Sequence, residues 1–356
     1  MPKIFIIIAT WNSEKFLSEL FWSLKNMDYP KEDWNLVVVD NGSKDKTLEI
    51  LNDWQKKMFN FPTIIRNEKN RGFAPGYNQG IAYALKQNPD YVILLNDDTV
   101  VEPDWLKIII EKMENHPEVG LAQPLITRYP EKSLVNSFGN AFHFLGFGYS
   151  FGDNWPIGQL FQKYGQSDYE SAYLSFSAVV IRHAVLEQIG LLDEKYFAYH
   201  EDSDFCFRAR LADWHLLAVS NSVVHHHYKF PSKKNKQRYF WLEKNRLYFT
   251  LKFYKLRTLV LAFPAWLVME FGLIIFSLAR GFFWQRLKAY GWLIINLPSI
   301  IKARRELQAA RKFGDNQLFD FMTGKIEFQE IRNPLLDWIG NPILGLYFAI
   351  IKKIIK

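Results

Sequence analysis

The sequence predicts an α/β protein: an open, mostly parallel sheet with helices on both faces, followed by a separate helical segment. Short apolar runs rich in Val, Ile and Leu alternate with helix-patterned stretches from residue 4 to residue 123. Several of those runs stop abruptly at polar or acidic residues. After residue 238 this pattern gives way to aromatic and apolar stretches, so the expected division is 1–237 and 238–356.

Residues 4–9 read as a first buried strand. Thr10, Trp11, Asn12 and Ser13 break it and offer caps to a helix running to about Lys25. Polar groups between a strand end and a helix start form either simple caps or a pocket for an anion or a base. Residues 36–39 repeat the design and end in Asp40, Asn41, Gly42 and Ser43. Asp40 can accept from the ring N–H of a nucleobase or close an Asx turn. Residues 64–66 make a third strand, ahead of a loop carrying Arg71, Gly72, Phe73, Gly76 and Gly80. Such a loop lets backbone approach a ligand while a cation waits for phosphate, or it is a turn only. Its Gly spacing matches neither a P-loop nor a dinucleotide fingerprint.

A helix over 76–87 then feeds Tyr91, Val92, Ile93, Leu94 and Leu95, a run apolar enough for a strand buried on both faces. It stops at Asn96, Asp97 and Asp98. Buried unpaired carboxylates are costly, so Asp97 and Asp98 belong in a crevice at the strand's carboxyl end, where open α/β sheets bind ligands. Two hard oxygen donors suit Mg²⁺ or Mn²⁺, which can hold a diphosphate. The competing reading is a polar turn before a helix beginning near Asp104.

A helix over 104–115 and a strand over 119–123 come next. Residues 127–170, with Gly139, Gly146, Gly148, Gly152, Gly158 and Gly165, read as an irregular, partly mobile loop shaping a substrate pocket. Strand-like alternation resumes at 173–182, and 184–190 is a short helix ended by Gly190. A second acidic cluster, Glu201, Asp202 and Asp204, opens a helix through Arg210. Three carboxylates in four residues need cations, a metal or helix dipoles nearby. Asp204 and Arg208, four apart, can pair on the helix. That leaves Glu201 and Asp202 for chemistry, where a carboxylate at a helix start can act as a general base, or for capping. A late strand, Val223 and Val224, ends in His225, His226 and His227. Neighbours on a strand point to opposite faces, so one or at most two can reach a single metal.

The ensemble of 9–12, 38–43, 70–74, 95–98, 197–204 and 223–226 resembles the inverting, family-two nucleotide-sugar glycosyltransferases of the GT-A fold, and most closely their rhamnosyltransferase-like branch. The resemblance implies that Thr10, Asn12, Asp40, Asn41, Arg71, Gly72, Phe73, Asn96 and Asp97 hold the nucleotide sugar. It implies Asp98 as the main contact to a divalent cation, joined by His226 or, failing that, His225. Asn96 stands where the family carries the first Asp of its Asp-x-Asp motif. Asp202 is then the base, with Glu201 and Ser177 on the acceptor side. Ser177 and Asp213 stand where the family usually has Gly.

Composition narrows the partners. A net charge of +7 favours anionic ligands, yet no nucleic-acid module is recognisable, so nucleic acid is excluded as a partner. The lone Cys206 rules out an intrachain disulfide and a Cys-based zinc cage, and fits a reducing compartment. The apolar run at 4–8 is too short for a signal peptide, so the cytoplasmic side of the cell membrane is expected. Residues 238–257 read as an amphipathic helix at a membrane surface. Residues 259–278 are long enough to span, but Pro264 and Glu270 favour in-plane or re-entrant association. Residues 343–356, ending in Lys352, Lys353 and Lys356, read as another surface-lying helix; packing on the core or on a second copy of the chain, a homodimer, is the alternative. The expected activity is metal-dependent, inverting transfer from a nucleoside-diphosphate-sugar to a lipid-linked or membrane glycan in cell-surface polysaccharide synthesis. The rival is a catalytically inactive nucleotide-sugar-binding assembly subunit.

Overall fold

Ile4, Ile6, Ile7, Ile8 and all of Val92, Ile93, Leu94 and Leu95 are fully shielded from solvent. Burial on both faces is what selects strand for runs this short and apolar. Each such side chain contributes about 1.5–3 kcal/mol on burial. The computed structural model describes residues 1–60, 63–228, 235–327 and 334–355. The chain divides into two compact units, one of residues 1–140, 150–209 and 214–229, the other of 141–149, 210–213 and 230–356.

In the first unit, β1 (Ile4–Thr10), α1 (Leu17–Lys25), β2 (Trp34–Asp40), α2 (Thr47–Lys57), β3 (Thr63–Arg66), α3 (Phe73–Leu85) and β4 (Tyr91–Leu95) alternate as expected. They are followed by β5 (Thr99–Val101), α4 (Trp105–Asn115), β6 (Val119–Arg128) and β7 (Val135–Ser137). Two strands at the unit boundary, β8 (Asn140–His143) and β9 (Gly148–Ser150), precede α5 (Ile157–Tyr164), β10 (Tyr169–Glu170), β11 (Ala178–Arg182), α6 (His183–Ile189), α7 (Glu201–Leu211) and β12 (His215–His226). The stretch 127–170 is therefore not an irregular loop: its backbone groups find partners in short strands and one helix.

The sheet runs β10-β12-β6-β11-β4-β1-β2-β3. Its β4-β1-β2-β3 half is parallel, whereas β11 lies antiparallel to both β4 and β6. The sheet is thus mixed. A right-handed helical crossover forces parallel pairing; the long segment between β6 and β11 contains no such crossover, and the reversal follows. Parallel β1, β2 and β4 deliver their carboxyl ends to one edge, with Thr10 in register with Asp40. Late in the chain, β5 pairs with β12 so that Thr99 faces His226, which brings His226 beside Asp98.

The second unit contains α8 (Lys236–Phe253), α9 (Leu256–Arg280), α10 (Phe283–Ile295), α11 (Leu297–Ala310), α12 (Asp315–Asp320), β13 (Met322–Thr323) and α13 (Asn341–Ile354). The surface helix expected over 238–257 is corrected: α8 ends at Phe253 and is buried from Glu243 to Thr250, charged residues included. Its charges are paired. Arg246 Nη2 donates to Glu243 Oε2 at 2.9 Å and also to Glu270. Arg286 donates to Glu270 Oε2 at 2.5 Å and to Glu243 Oε2 at 2.8 Å. Lys356 lies outside the described residues. Among those described, α9 is the one helix long and apolar enough to cross a membrane, by length and composition alone.

Candidate functional site

The loop after β1 does not cap α1 as expected, since α1 starts only at Leu17 without a side-chain cap. Asn12 takes a left-handed backbone with φ +55 and turns its Oδ1 to the Lys44 amide at 2.8 Å, while its own N–H donates to Ser43 Oγ at 2.9 Å. Ser13 instead donates to Asp97 Oδ2, which the Trp11 amide also approaches. Burial, then the Asp98 charge, pushes the Asp97 carboxyl up to about 6, against the pull of the Ser13 and Thr10 hydroxyls. Asp97 therefore ties the β1 loop to the end of β4.

Asp40 is buried and accepts from the Ser43 amide at 3.2 Å, closing the turn after β2. Asn41 donates to Gly72 O at 3.0 Å and accepts from Asn67 at 2.9 Å. Its amide is thus committed to joining two loops, a positioning task that sequence reasoning did not assign to it. Gly72 has φ +100, and a Cβ there would lie 2.7 Å from Phe197 O. The Phe73 amide donates to that same oxygen at 2.7 Å. Only glycine lets the 70–73 loop lie this close to the segment leading into α7. Arg71 is exposed at the loop's edge. The Asn96 amide donates to Ser177 O at 2.9 Å, and the Asn96 side chain accepts from Tyr77 at 3.3 Å.

The three histidines go to three different carboxylates. His225 has both ring nitrogens engaged, at 2.6 Å from Thr127 Oγ1 and 2.6 Å from Glu102 Oε1. It is therefore not brought to Asp98, which corrects its place as the reserve metal ligand. His227 Nε2 is 3.0 Å from Glu19 Oε2. His226 alone meets Asp98, with Nε2 3.1 Å from Oδ1. Strand alternation is the cause.

His226 Nδ1 is 2.8 Å from Asn136 Oδ1. An amide oxygen only accepts, so Nδ1 carries a proton and Nε2 is the ring nitrogen left to face Asp98. Asp98 Oδ1 is shielded from solvent, and His226 Nε2 is the group that faces it. Burial favours the neutral form of Asp98, but the charge and hydrogen bonding of His226 outweigh it and hold the carboxyl below its usual range. With Nε2 deprotonated, as a metal ligand must be, it and the Asp98 carboxylate 3.1 Å away are donors that fit a shared divalent ion. Among the described residues no three His, Cys, Asp or Glu converge on such a point. That matches ions held by one or two carboxylates together with substrate phosphates.

At the start of α7, Tyr199 and His200 both adopt left-handed backbone, φ +69 and +68. This kink precedes Glu201 and Asp202. Burial pushes Asp202 up to about 7, against the pull of the Ser203 amide at 2.7 Å. Burial and the neighbouring Asp202 charge raise Glu201 further, and its Oε2 is buried without a hydrogen-bond partner. Asp204 is paired with Arg208 at 2.8 Å, as the spacing predicted. Asp213 has φ +81, a conformation glycine adopts freely, and so accounts for the Gly that the resemblance expects there.

Asn136 was not among the sequence-predicted site residues. It lies in β7, where nothing periodic marks it; its amide Nδ2 donates to Asp153 Oδ1 at 3.4 Å, and Asp153 is held by Arg128 at 2.7 and 3.0 Å.

The sequence model of Glycosyl transferase family 2 matches residues 5–190. Over 112 residues the chain is 38% identical to a dolichyl N-acetyl-alpha-D-glucosaminyl phosphate 3-beta-D-2,3-diacetamido-2,3-dideoxy-beta-D-glucuronosyltransferase of Methanococcus voltae, covering 31% of this chain and 34% of that one. Over 210 residues it is 27% identical to an N-acetylglucosaminyl-diphospho-decaprenol L-rhamnosyltransferase of Mycobacterium tuberculosis, covering 54% of this chain and 66% of that one. The chain thus spans about a third of the first relative and just under two thirds of the second. Among solved structures, the mannosyltransferase PcManGT of Pyrobaculum calidifontis, in complex with GDP-Man and Mn²⁺, aligns with a TM-score of 0.52 at 14% identity, over 99% of this chain and 87% of that one. S. aureus TarS 1-349 in complex with UDP-GlcNAc also aligns at 0.52, with 18% identity, over 99% and 90%. At these identities the structural likeness speaks for the fold, which is GT-A. With more than half its length matched by the family's model, this chain belongs to Glycosyl transferase family 2.

Proposed function

We propose that the chain is an inverting, metal-dependent glycosyltransferase that moves a sugar from a nucleoside-diphosphate-sugar to a hydroxyl of a lipid-linked glycan on the cytoplasmic side of the cell membrane. The observation that carries this is the pairing of Asp98 with His226 Nε2 on one edge of the sheet, together with a half-buried Asp202 whose carboxyl is raised to about 7.

Asp98 and His226 would hold the divalent cation, Mg²⁺ or Mn²⁺, which when bound supplies charge neutralisation for a leaving diphosphate. Thr10 and Asp40, in register at the ends of β1 and β2, would bind the nucleotide together with Asn12 and the Arg71–Phe73 loop. Asp202 accepts the acceptor's hydroxyl proton as that oxygen forms its bond to the anomeric carbon. The bond from that carbon to the phosphate oxygen breaks, and the nucleoside diphosphate departs with the electron pair. One displacement inverts the anomeric configuration. Glu201, whose carboxyl burial and the Asp202 charge push upward, can orient the acceptor beside Asp202. The name of the mycobacterial relative supports rhamnosyl as the sugar and a polyprenyl-diphosphate-linked acceptor. Cys206, a buried free thiol, supports a reducing compartment.

The test is a screen of nucleoside-diphosphate sugars with Mn²⁺ or Mg²⁺, scoring nucleoside diphosphate release in the presence of a polyprenyl-diphosphate-linked sugar. Release with a thymidine-diphosphate-rhamnose donor is expected. Donor binding without release from any common donor would leave an assembly subunit instead.

A further inference from the structure

The two parts of the sequence differ sharply in charge. Residues 229–356 carry 23 Lys and Arg against 8 Asp and Glu, whereas 1–228 carry 21 against 29. The basic character of the protein therefore belongs to the helical segment. That segment also leaves large apolar side chains in the open. On α9, Val260, Phe263, Leu267, Phe271, Ile275 and Leu278 are each more than half exposed, and their spacing of three and four residues lines them along one stripe of the helix. Thr258, Ala262, Ala265, Glu270 and Ser277 occupy the other side and are buried. Helix α13 repeats the arrangement, with Ile343, Leu346 and Ile350 exposed and Leu344 and Ile351 buried. Trp284 and Trp338 are 70% and 83% exposed. Contiguous apolar exposure of this kind marks an interaction surface, and exposed Trp is typical of groups seated at a lipid headgroup boundary. Exposed Arg280, Lys288, Arg305 and Lys353 supply the cations.

The packing of α9 decides how it meets that partner. Tyr347 of α13 donates to Leu261 O at 2.8 Å, and Arg257 donates to Ile354 O at 2.7 Å, so α13 runs antiparallel along the first half of α9. Arg286 and Tyr290 of α10 bond Glu270 at 2.5 Å each, so α10 flanks the second half. The 13 residues of α10 and 14 of α13 reach only about 20 Å, short of a hydrocarbon core of about 30 Å. A spanning α9 would leave both companions, or take Arg246, Arg286 and Glu243 with it into lipid. Glu270 is instead held by two arginines from two helices.

We infer that the helical unit is a monotopic platform for an anionic bilayer, with α9 and α13 lying in the membrane plane, their apolar stripes among the acyl chains and the flanking Lys and Arg on lipid phosphates. This goes beyond sugar transfer and does not depend on it. The test is flotation of the purified full chain with vesicles of phosphatidylcholine alone or with 30% phosphatidylglycerol, about the content of an anionic leaflet, with no donor present. Binding is expected to be at least about tenfold stronger to the anionic vesicles and to fall at least about tenfold in Trp338→Ser/Leu346→Ser, surface changes that leave packing alone. Equal binding to both vesicles would overturn the role of the basic residues. No flotation, with a dimer on size exclusion that the double variant dissociates, would assign the face to a second copy. Single cysteines replacing Lys255 and Arg280 test the orientation: both should react with an impermeant maleimide in sealed, cytoplasmic-side-out membrane vesicles. If one reacts only after permeabilisation, α9 spans and the in-plane platform is wrong. Nucleoside diphosphate release measured in parallel separates failure here from failure of the transfer reading.

Discussion

Asn136 Oδ1 accepts a hydrogen bond from His226 Nδ1 at 2.8 Å, and this contact sets which ring nitrogen faces Asp98. The Asn136 amide is itself oriented, because its Nδ2 points to an Asp153 carboxylate that Arg128 grips with two bonds. Outer partners of this kind fix a histidine's tautomer. Asn136→Leu should weaken Mn²⁺ affinity about 10–100-fold, read by electron paramagnetic resonance of bound Mn²⁺ with nucleoside diphosphate present, and cost about 1–3 kcal/mol of stability from the buried partners it leaves unpaired. Unaltered Mn²⁺ binding would remove Asn136 from the site.

The same geometry separates two adjacent histidines. His226→Ala should weaken Mn²⁺ affinity at least about tenfold and lower transfer with it, whereas His225→Asn, whose bonds go to Thr127 and Glu102, should leave Mn²⁺ affinity within about threefold of the parent while lowering stability by about 1–3 kcal/mol. A Mn²⁺ titration of both variants, paired with denaturant melts, checks the contrast. An equal loss of affinity in the two would contradict it.

As the proposed proton acceptor, Asp202 must be ionised to act. Transfer should therefore rise with pH through an apparent value of about 7, shared with the neighbouring Glu201. Asp202→Asn should lower kcat about 10²–10⁴-fold and leave donor affinity unchanged. The sign for stability is opposite. An unfolded Asp titrates near about 3.9, so between there and about 7 the native state holds a proton that the unfolded chain releases, and stability falls as pH rises. Asp202→Asn should thus be more stable than the parent above pH 7; a less stable variant there would mean that the carboxylate is well solvated or paired.

Gly72→Ala forces a side chain into φ +100 and against Phe197 O at 2.7 Å. A backbone oxygen cannot swing aside as a flexible side chain would. The expected cost is about 1–3 kcal/mol, measured by denaturant unfolding, together with weaker donor binding as the 70–73 loop lifts from the α7 approach.

In the helical unit, Glu270→Ala leaves Arg246 and Arg286 with Glu243 as their remaining acidic partner. Breaking a buried ionic network of this kind costs about 3–5 kcal/mol, so the variant's melting temperature should drop by several degrees. Unchanged melting would show that Glu270 is not needed to hold α9.

The four opening strands, the Asp204–Arg208 pair and the candidate carboxylates Asp97, Asp98 and Asp202 were legible in the sequence, because burial on both faces, helix spacing and the cost of burying charge are local properties written in short runs of residues. The separate roles of Asp97 and Asp98 were not. One ties Ser13 and the β1 loop to the sheet, the other faces His226, and only the partners brought by distant strands distinguish two identical adjacent side chains. The resemblance already put His226 ahead of His225, but local pattern did not, since strand alternation says that neighbours diverge but not toward what. The reversal of β11, the burial of α8 and the service of Asn136 likewise depended on segments far apart in the chain meeting in space. Local pattern determined where strands end and which residue types stand there; tertiary structure decided which of those residues share a point, because hydrogen-bond direction and charge pairing exist only between groups the fold has already brought within reach.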